Sequence, residues 1–148
     1  MDHSVTFKPY ASNHKHDCLV LFDANCPEYF AANERSDFER FLDTNQGEYE
    51  LCIAAERVVG AFGLMGDDQH RRNLNWIMLE PRSHGLGIGT AIMERVSAKA
   101  RDQGLSVVKI AASHRSAPFF AKFGATEVTK TADGWGPGMH RVDMEFRL

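Results

Sequence analysis

Leu79-Glu80-Pro81-Arg82-Ser83-His84-Gly85-Leu86-Gly87-Ile88-Gly89-Thr90 is the stretch that decides how this chain reads. An apolar strand pattern over Leu74–Leu79 stops at Pro81. Glycines then recur at every second position, and an amphipathic helix begins at once. The first N–H groups of a helix have no partners inside it, and the helix dipole places partial positive charge there. Glycines remove the Cβ atoms that would hold an anion off the backbone. The joint therefore reads as a pyrophosphate site. Two other phosphate loops do not fit. The Walker loop ends in Gly-Lys-Ser/Thr, and no lysine precedes Thr90. The dinucleotide fingerprint G-x-G-x-x-G is not matched, and no acidic ribose binder follows.

Outward from this joint, a helix is predicted from about Gly87 to Gln103. Ile88, Ile92, Val96 and Ala100 form its apolar stripe, and Gly104 is its C-cap. Val107–Ala112 is a short apolar strand. The strand–helix–strand unit from Leu74 to Ala112 implies a parallel pair with a right-handed crossover. Upstream, Val5 and Phe7 alternate as a first strand. Ser12 opens a helix carrying Cys18, Leu21 and Phe22. Ser36 with Glu39 forms a capping box before Phe38, Phe41 and Leu42. Tyr49–Ala55 and Val58–Met65 read as a hairpin turning at Glu56-Arg57, and Gly66–Arg72 is a polar loop. Downstream, Pro118–Phe123 is a brief helix stopped at Gly124. Val142, Met144, Phe146 and Leu148 alternate with charged residues as the last strand.

The resulting order is β-α-α-β-β-β-α-β-α-β-β over one domain, residues 1–148, with no repeat or linker. A length of 148 residues, 43% hydrophobic and 25% charged, suits a soluble globular protein. A net charge of −3 argues against a nucleic-acid binder that relies on bulk positive charge. No apolar run approaches the roughly 18 residues of a membrane helix, and the N-terminal MDHSVTFKPY is too polar for a signal peptide. Cys18, Cys26 and Cys52 form no C-x-x-C pair, which points to a reducing cytoplasm without disulfides. His14 and His16 have no recognised zinc spacing, so no metal is expected.

The chain resembles the GNAT superfamily of N-acetyltransferases. The family signature Gln/Arg-x-x-Gly-x-Gly/Ala reads His84-Gly85-Leu86-Gly87-Ile88-Gly89 here. The second family block, an Asn followed by Phe-Tyr-x-Lys-x-Gly on a short helix, reads Ser113 and then Phe119-Phe120-Ala121-Lys122-Phe123-Gly124. The resemblance implies an α/β (α+β) fold: a mixed, mostly antiparallel twisted sheet of about six to seven strands with about four helices. It implies acetyl-CoA as co-substrate. The pantetheine arm would lie along Leu79 and the pyrophosphate on Gly85, Leu86, Gly87, Ile88, Gly89 and Thr90. His84, Ser113, Phe119, Phe120 and Lys122 complete the expected cofactor site. The fourth and fifth strands would splay around the thioester, whose carbonyl a backbone N–H near Leu79 would polarise.

Three positions depart from the family pattern. His84 stands for Gln/Arg, Ser113 for Asn, and Phe120 for the Tyr that often protonates the departing thiolate. Family members often carry a Glu or His base at the positions of Asn73 or Asn75, which share one strand face with Ile77 and Leu79. An amide takes no proton at neutral pH but can hold a water that does. The expected catalytic set is Asn75 for deprotonation through water, with Ser113 or Tyr29 replacing the lost acid. Glu28 and Glu34, near the acceptor wall, would attract a cationic amine. Gly134–His140 would be a loop joining the last two strands, covering the acceptor or making a homodimer contact. The acceptor is a small-molecule or protein amine. A non-catalytic acyl-CoA-binding sensor or interaction module is the rival reading.

Overall fold

A computed structural model describes residues 4–44, 48–83, 85 and 87–148. The elements in chain order are β1 (Thr6–Pro9), α1 (Lys15–Ala24), α2 (Arg35–Thr44), β2 (Tyr49–Ala54), β3 (Arg57–Met65), β4 (Arg71–Leu79), α3 (Ile88–Asp102), β5 (Val107–Ser113), α4 (Ala117–Lys122), β6 (Thr126–Gly136) and β7 (Met139–Arg147). The seven strands form one sheet in the order β1-β2-β3-β4-β5-β7-β6. Every pairing is antiparallel except β4 with β5, the pair joined by α3. The expected α/β fold with a mixed, mostly antiparallel sheet and four α-helices is the one observed.

Each face of the sheet carries its own core. Ile92, Val96 and Ala100 of α3 pack against Phe62, Leu64, Leu74, Val108 and Ile110. On the other face, Phe22 of α1 with Phe38 and Leu42 of α2 cover Tyr49, Leu51, Ala61 and Met78. β3 runs between the two helical layers and is buried along most of its length. Beneath α3, Glu50 of β2 is ion-paired with Arg95 and Lys99. Burial opposes its charge, but hydrogen bonds from Lys99 and then Arg95 outweigh that penalty and hold the carboxyl below its usual range.

Several local expectations need correction. Ser36 lies inside α2, which starts at Arg35 after a 3₁₀ turn at Ala32–Glu34. The carboxylate that closes this N-terminus is Glu34, whose Oε2 accepts the Ala31 N–H at 2.8 Å. β4 begins at Arg71, so the preceding loop is shorter than the polar run suggested. Gly134–Gly136 belong to β6, leaving Pro137-Gly138 as the connection rather than a loop up to His140. Leu148 lies beyond β7 and is 40% exposed.

The β2–β3 turn is Ala55-Glu56, one residue earlier than expected, because Ala54 pairs with Arg57. Both turn residues are left-handed, at φ 50° and 63°. This turn geometry matches strand twist but favours Asn-Gly, whose residues adopt positive φ more readily than Ala or Glu. Left-handed backbone costs an L-residue about 1–2 kcal/mol. The double substitution Ala55→Asn, Glu56→Gly should therefore stabilise the fold by about 1–2 kcal/mol. Urea denaturation with an unchanged m-value is the check.

Candidate active site

β4 and β5 pair only from Arg71↔Val107 to Leu74↔Ile110. Beyond that point β4 runs to Leu79 and β5 to Ser113 without pairing, while β5 stays paired to β7 as far as Ser113↔Arg141. The cause lies at Trp76. It has φ 48°, and the β3–β4 register skips between Gly63↔Asn75 and Ala61↔Met78, so Phe62 opposes two residues. Such a bulge bends its strand and re-aims its side chains. Leu74 packs on the α3 face, but so do Ile77 and Leu79, which breaks the period of two. Asn73 and Asn75 therefore do not share a face with Ile77 and Leu79. Asn73 is exposed, and Asn75 lines the gap between the strands.

That gap is a cavity of about 840 Å³, running from the start of α3 to the α1–α2 connection. This volume falls within the range of small-molecule sites. At one end are Gly85 and Gly87, with φ 84° and 83° and no atom within 4 Å of where a Cβ would lie. Gly87 is the N-cap of α3, no side chain among the described residues caps it, and the first intrahelical bond is Ala91 N–H to Gly87 O at 3.0 Å. The N–H groups of Ile88, Gly89 and Thr90 are thus left to an incoming acceptor. The turn fits a pyrophosphate. Ile88 sends its side chain into the core and offers only backbone. Thr90 and Lys122 are exposed at the cavity wall. Gly89 is packed on Phe119, where a Cβ would come within 2.7 Å of the ring. His84 and Leu86 lie outside the described residues.

The middle of the cavity is walled by Leu79, Phe119, Phe120 and Ser113. Phe120 is 3% exposed and meets Phe119 edge-on at 5.1 Å, so its ring serves packing. Ser113 is tied into a reciprocal turn. Its Oγ accepts the Ser116 N–H at 3.1 Å, while Ser116 Oγ accepts the Ser113 N–H at 3.0 Å. The two hydroxyls are 3.1 Å apart. A Ser-x-x-Ser pattern before a short helix is the sequence mark of this turn.

At the far end are Asn25, Tyr29, Phe30, Glu34, Trp76 and Trp135. Tyr29 and Glu34 meet Asn75 and Ser113 around this one cavity, whereas Glu28 is exposed outside its lining. Burial first, and the neighbouring Glu28 second, push the Tyr29 phenol up, with Arg115 pulling the other way. It stays protonated at neutral pH. The Glu34 carboxyl is pushed up to about 7, chiefly by burial. The Ala31 N–H opposes this, and the Asp37 charge adds to it. Trp135, which the glycine-rich segment hinted at, is pinned by Nε1–H donation to Ala112 O at 2.9 Å. Trp76, Arg115 and Ser116 were missed. A left-handed tryptophan has no sequence signature. Arg115 and Ser116 gain their place only because α4 folds back beside β5. Among the described residues, no group of His, Cys, Asp or Glu could hold a metal, and no helix is long and apolar enough to cross a membrane.

The sequence matches the family model described as Acetyltransferase (GNAT) family over residues 18–125. No curated protein matches it. Among solved structures, Ard1 from Thermoplasma volcanium superimposes with TM-score 0.81 at 13% identity, covering 97% of each chain. The ribosomal-protein-S18-alanine N-acetyltransferase from Escherichia coli gives TM-score 0.78 at 13% identity, over 97% of this chain and 94% of that one. A GNAT family acetyltransferase from Elizabethkingia anophelis, solved with acetyl-CoA bound, gives 0.72 at 17% identity, over 97% and 98%. At these identities the likeness is one of fold.

Two substitutions probe this geometry. Gly87→Glu sets bulk and like charge at the open turn; its Cβ would meet no atom within 4 Å, and the left-handed φ of 83° would cost it about 1–2 kcal/mol. It should abolish coenzyme A binding in calorimetry while the chain stays folded by circular dichroism. Tyr49 donates its hydroxyl to Trp76 O at 2.6 Å from a fully buried site. Tyr49→Phe removes that bond and should cost about 1–3 kcal/mol in denaturant unfolding.

Proposed function

The chain belongs to the acetyltransferase (GNAT) family, and from that premise we propose that it transfers an acetyl group from acetyl-CoA to an amine by direct attack in a ternary complex. The observation that carries this reading is the cavity between β4 and β5, with the free N–H groups of α3 at one end and Tyr29, Glu34 and Asn75 at the other. Residues 1–148 act as one transferase domain. Three free cysteines agree with a reducing, cytoplasmic setting.

The backbone from Gly85 to Thr90 holds the pyrophosphate, assisted by Lys122. Leu79 and Phe119 line the pantetheine path. Bound acetyl-CoA supplies an acyl carbon activated as a thioester. The Glu80 N–H is committed to Val59 O at 2.8 Å, so the donor to the acyl oxygen comes from β4 between the Trp76 bulge and Leu79. Asn75 positions the acceptor or a water beside it. The protonated Tyr29 phenol, or the Ser113–Ser116 hydroxyl pair, supplies a proton to the departing thiolate. Holding both substrates in one cavity supplies much of the rate.

Direct transfer needs no acetyl-enzyme, and the cysteines support that. Burial pushes the Cys18 thiol up to about 12 and the Cys52 thiol up to about 11. Cys26 is raised as well, first by burial and then by Asp23 and Glu34. None is a ready thiolate.

The test is an acetyl-transfer assay over polyamines, aminoglycosides, amino acids and peptide N-termini. Mass spectrometry of the protein after acetyl-CoA alone accompanies it. Transfer to at least one amine, with no acetylated cysteine and with activity kept in the Cys26→Ala variant, is expected. Binding of coenzyme A without transfer to any amine would favour a sensor module instead.

A further inference from the structure

We propose that Glu34 is the group that takes the proton from the acceptor ammonium, so that the base of this enzyme sits on the α1–α2 connection and not on β4. The inference rests on the acetyltransferase reading and deepens it. Of the β4 residues that line the cavity, Leu74 to Leu79, none carries a titratable side chain, and the Asn75 amide takes no proton at neutral pH. Glu34 lines the same end of that cavity and is 6% exposed. Its Oε2 accepts the Ala31 N–H, while Oε1 has no hydrogen-bond partner among the described residues. No cation among them pairs with it. Burying a carboxylate this way costs free energy unless a ligand compensates.

The carboxylate is also held still, as a base must be. Asn33 Nδ2 donates to Trp135 O at 2.9 Å. Gly136 packs so closely that a Cβ there would lie 2.5 Å from Asn33 Oδ1 and 3.0 Å from the Ala31 Cβ. The tip of the β6–β7 ribbon therefore clamps the turn that carries Glu34.

The groups around it set its proton affinity. Asp37 of α2 is a like charge, and the Cys26 thiol and Tyr29 phenol of the preceding segment are both neutral. β4 contributes Asn75 and Trp76, and β6 contributes Trp135, none of them charged. Arg115 and Lys122, from the β5–α4 side, are exposed at the cavity rim. A carboxyl raised to about 7 is matched to accepting a proton near neutral pH. The aromatic walls of Phe30, Trp76 and Trp135 suit the carbon chain or ring of a primary amine, with its ammonium drawn to Glu34.

The step balances. The ammonium gives one proton to Glu34. The free amine forms the C–N bond as the C–S bond breaks. The second amine proton goes to the departing thiolate, and Glu34 returns its proton to solvent.

The test compares wild type, Glu34→Gln and Glu34→Asp with acetyl-CoA and an amine panel, from about pH 5 to about pH 9. The amide keeps an acceptor for the Ala31 N–H. Glu34→Gln should lower kcat by about 10²–10⁴-fold and erase the wild-type inflection near neutrality, with coenzyme A affinity unchanged by calorimetry. Glu34→Asp should restore part of the rate. Melting temperature gives a readout free of activity. A folded pKa raised above the unfolded value means stability present at low pH and lost as pH rises from about 4.5 toward 7. Glu34→Gln should therefore melt higher than wild type at about pH 8, with the gap closing toward about pH 4.5. Full activity and an unshifted profile in Glu34→Gln, beside an active wild type, would overturn the assignment and leave the acetyltransferase reading standing. A wild type that binds coenzyme A but acetylates nothing would overturn both.

Discussion

The site depends on the backbone at Trp76. A bulky residue held left-handed stores strain of about 1–3 kcal/mol, and three things hold it there. Its ring lies against Phe30, Phe38 and Phe41 with centroids 5.0–6.2 Å away. Its carbonyl accepts the buried Tyr49 hydroxyl. Its strand is clamped by β3 on one side. In exchange, β4 leaves β5 after Leu74, and the ligand cavity is the space the two strands no longer fill.

The bulge thereby couples two parts of the molecule. The aromatic face of α2 that supports Trp76 is continuous with the turn that carries Glu34, and that turn is clamped by the β6–β7 tip. One wall of the acceptor end comes from residues near position 30, another from β4, and a third from residues near position 135. The opposite end is simpler. It is a helix N-terminus with glycines, a geometry that is local and needs no long-range partner.

The division of labour along the cavity follows from this. Backbone N–H groups at a helix N-terminus suit a phosphate through local geometry alone. The other end is assembled from buried and half-buried side chains, and the protonation of Glu34 there depends on how dry its neighbours keep it. Glu34 is a turn-closing carboxylate by its local contacts. The tertiary packing that desolvates it pushes the same carboxyl up to about 7.

The sequence alone determined the element order, the α3 stripe, the parallel β4–β5 pair and the glycine turn that opens α3. Each rests on short-range physics: hydrophobic period, capping, and the freedom of glycine at Gly85 and Gly87. It misread what depended on a partner far along the chain. The spacing of Ser36 and Glu39 points to Glu39 as the capping carboxylate of the α2 region, yet the 3₁₀ turn starts the helix earlier and uses Glu34. Strict alternation puts Asn73 and Asn75 on one face with Ile77, and the bulge at Trp76 breaks it. No local pattern announces that Tyr49, 27 residues away, will hold Trp76 left-handed. Only tertiary structure decided the bulge, the splayed strands and the burial of Glu34, because each is paid for by contacts between segments that the sequence keeps apart.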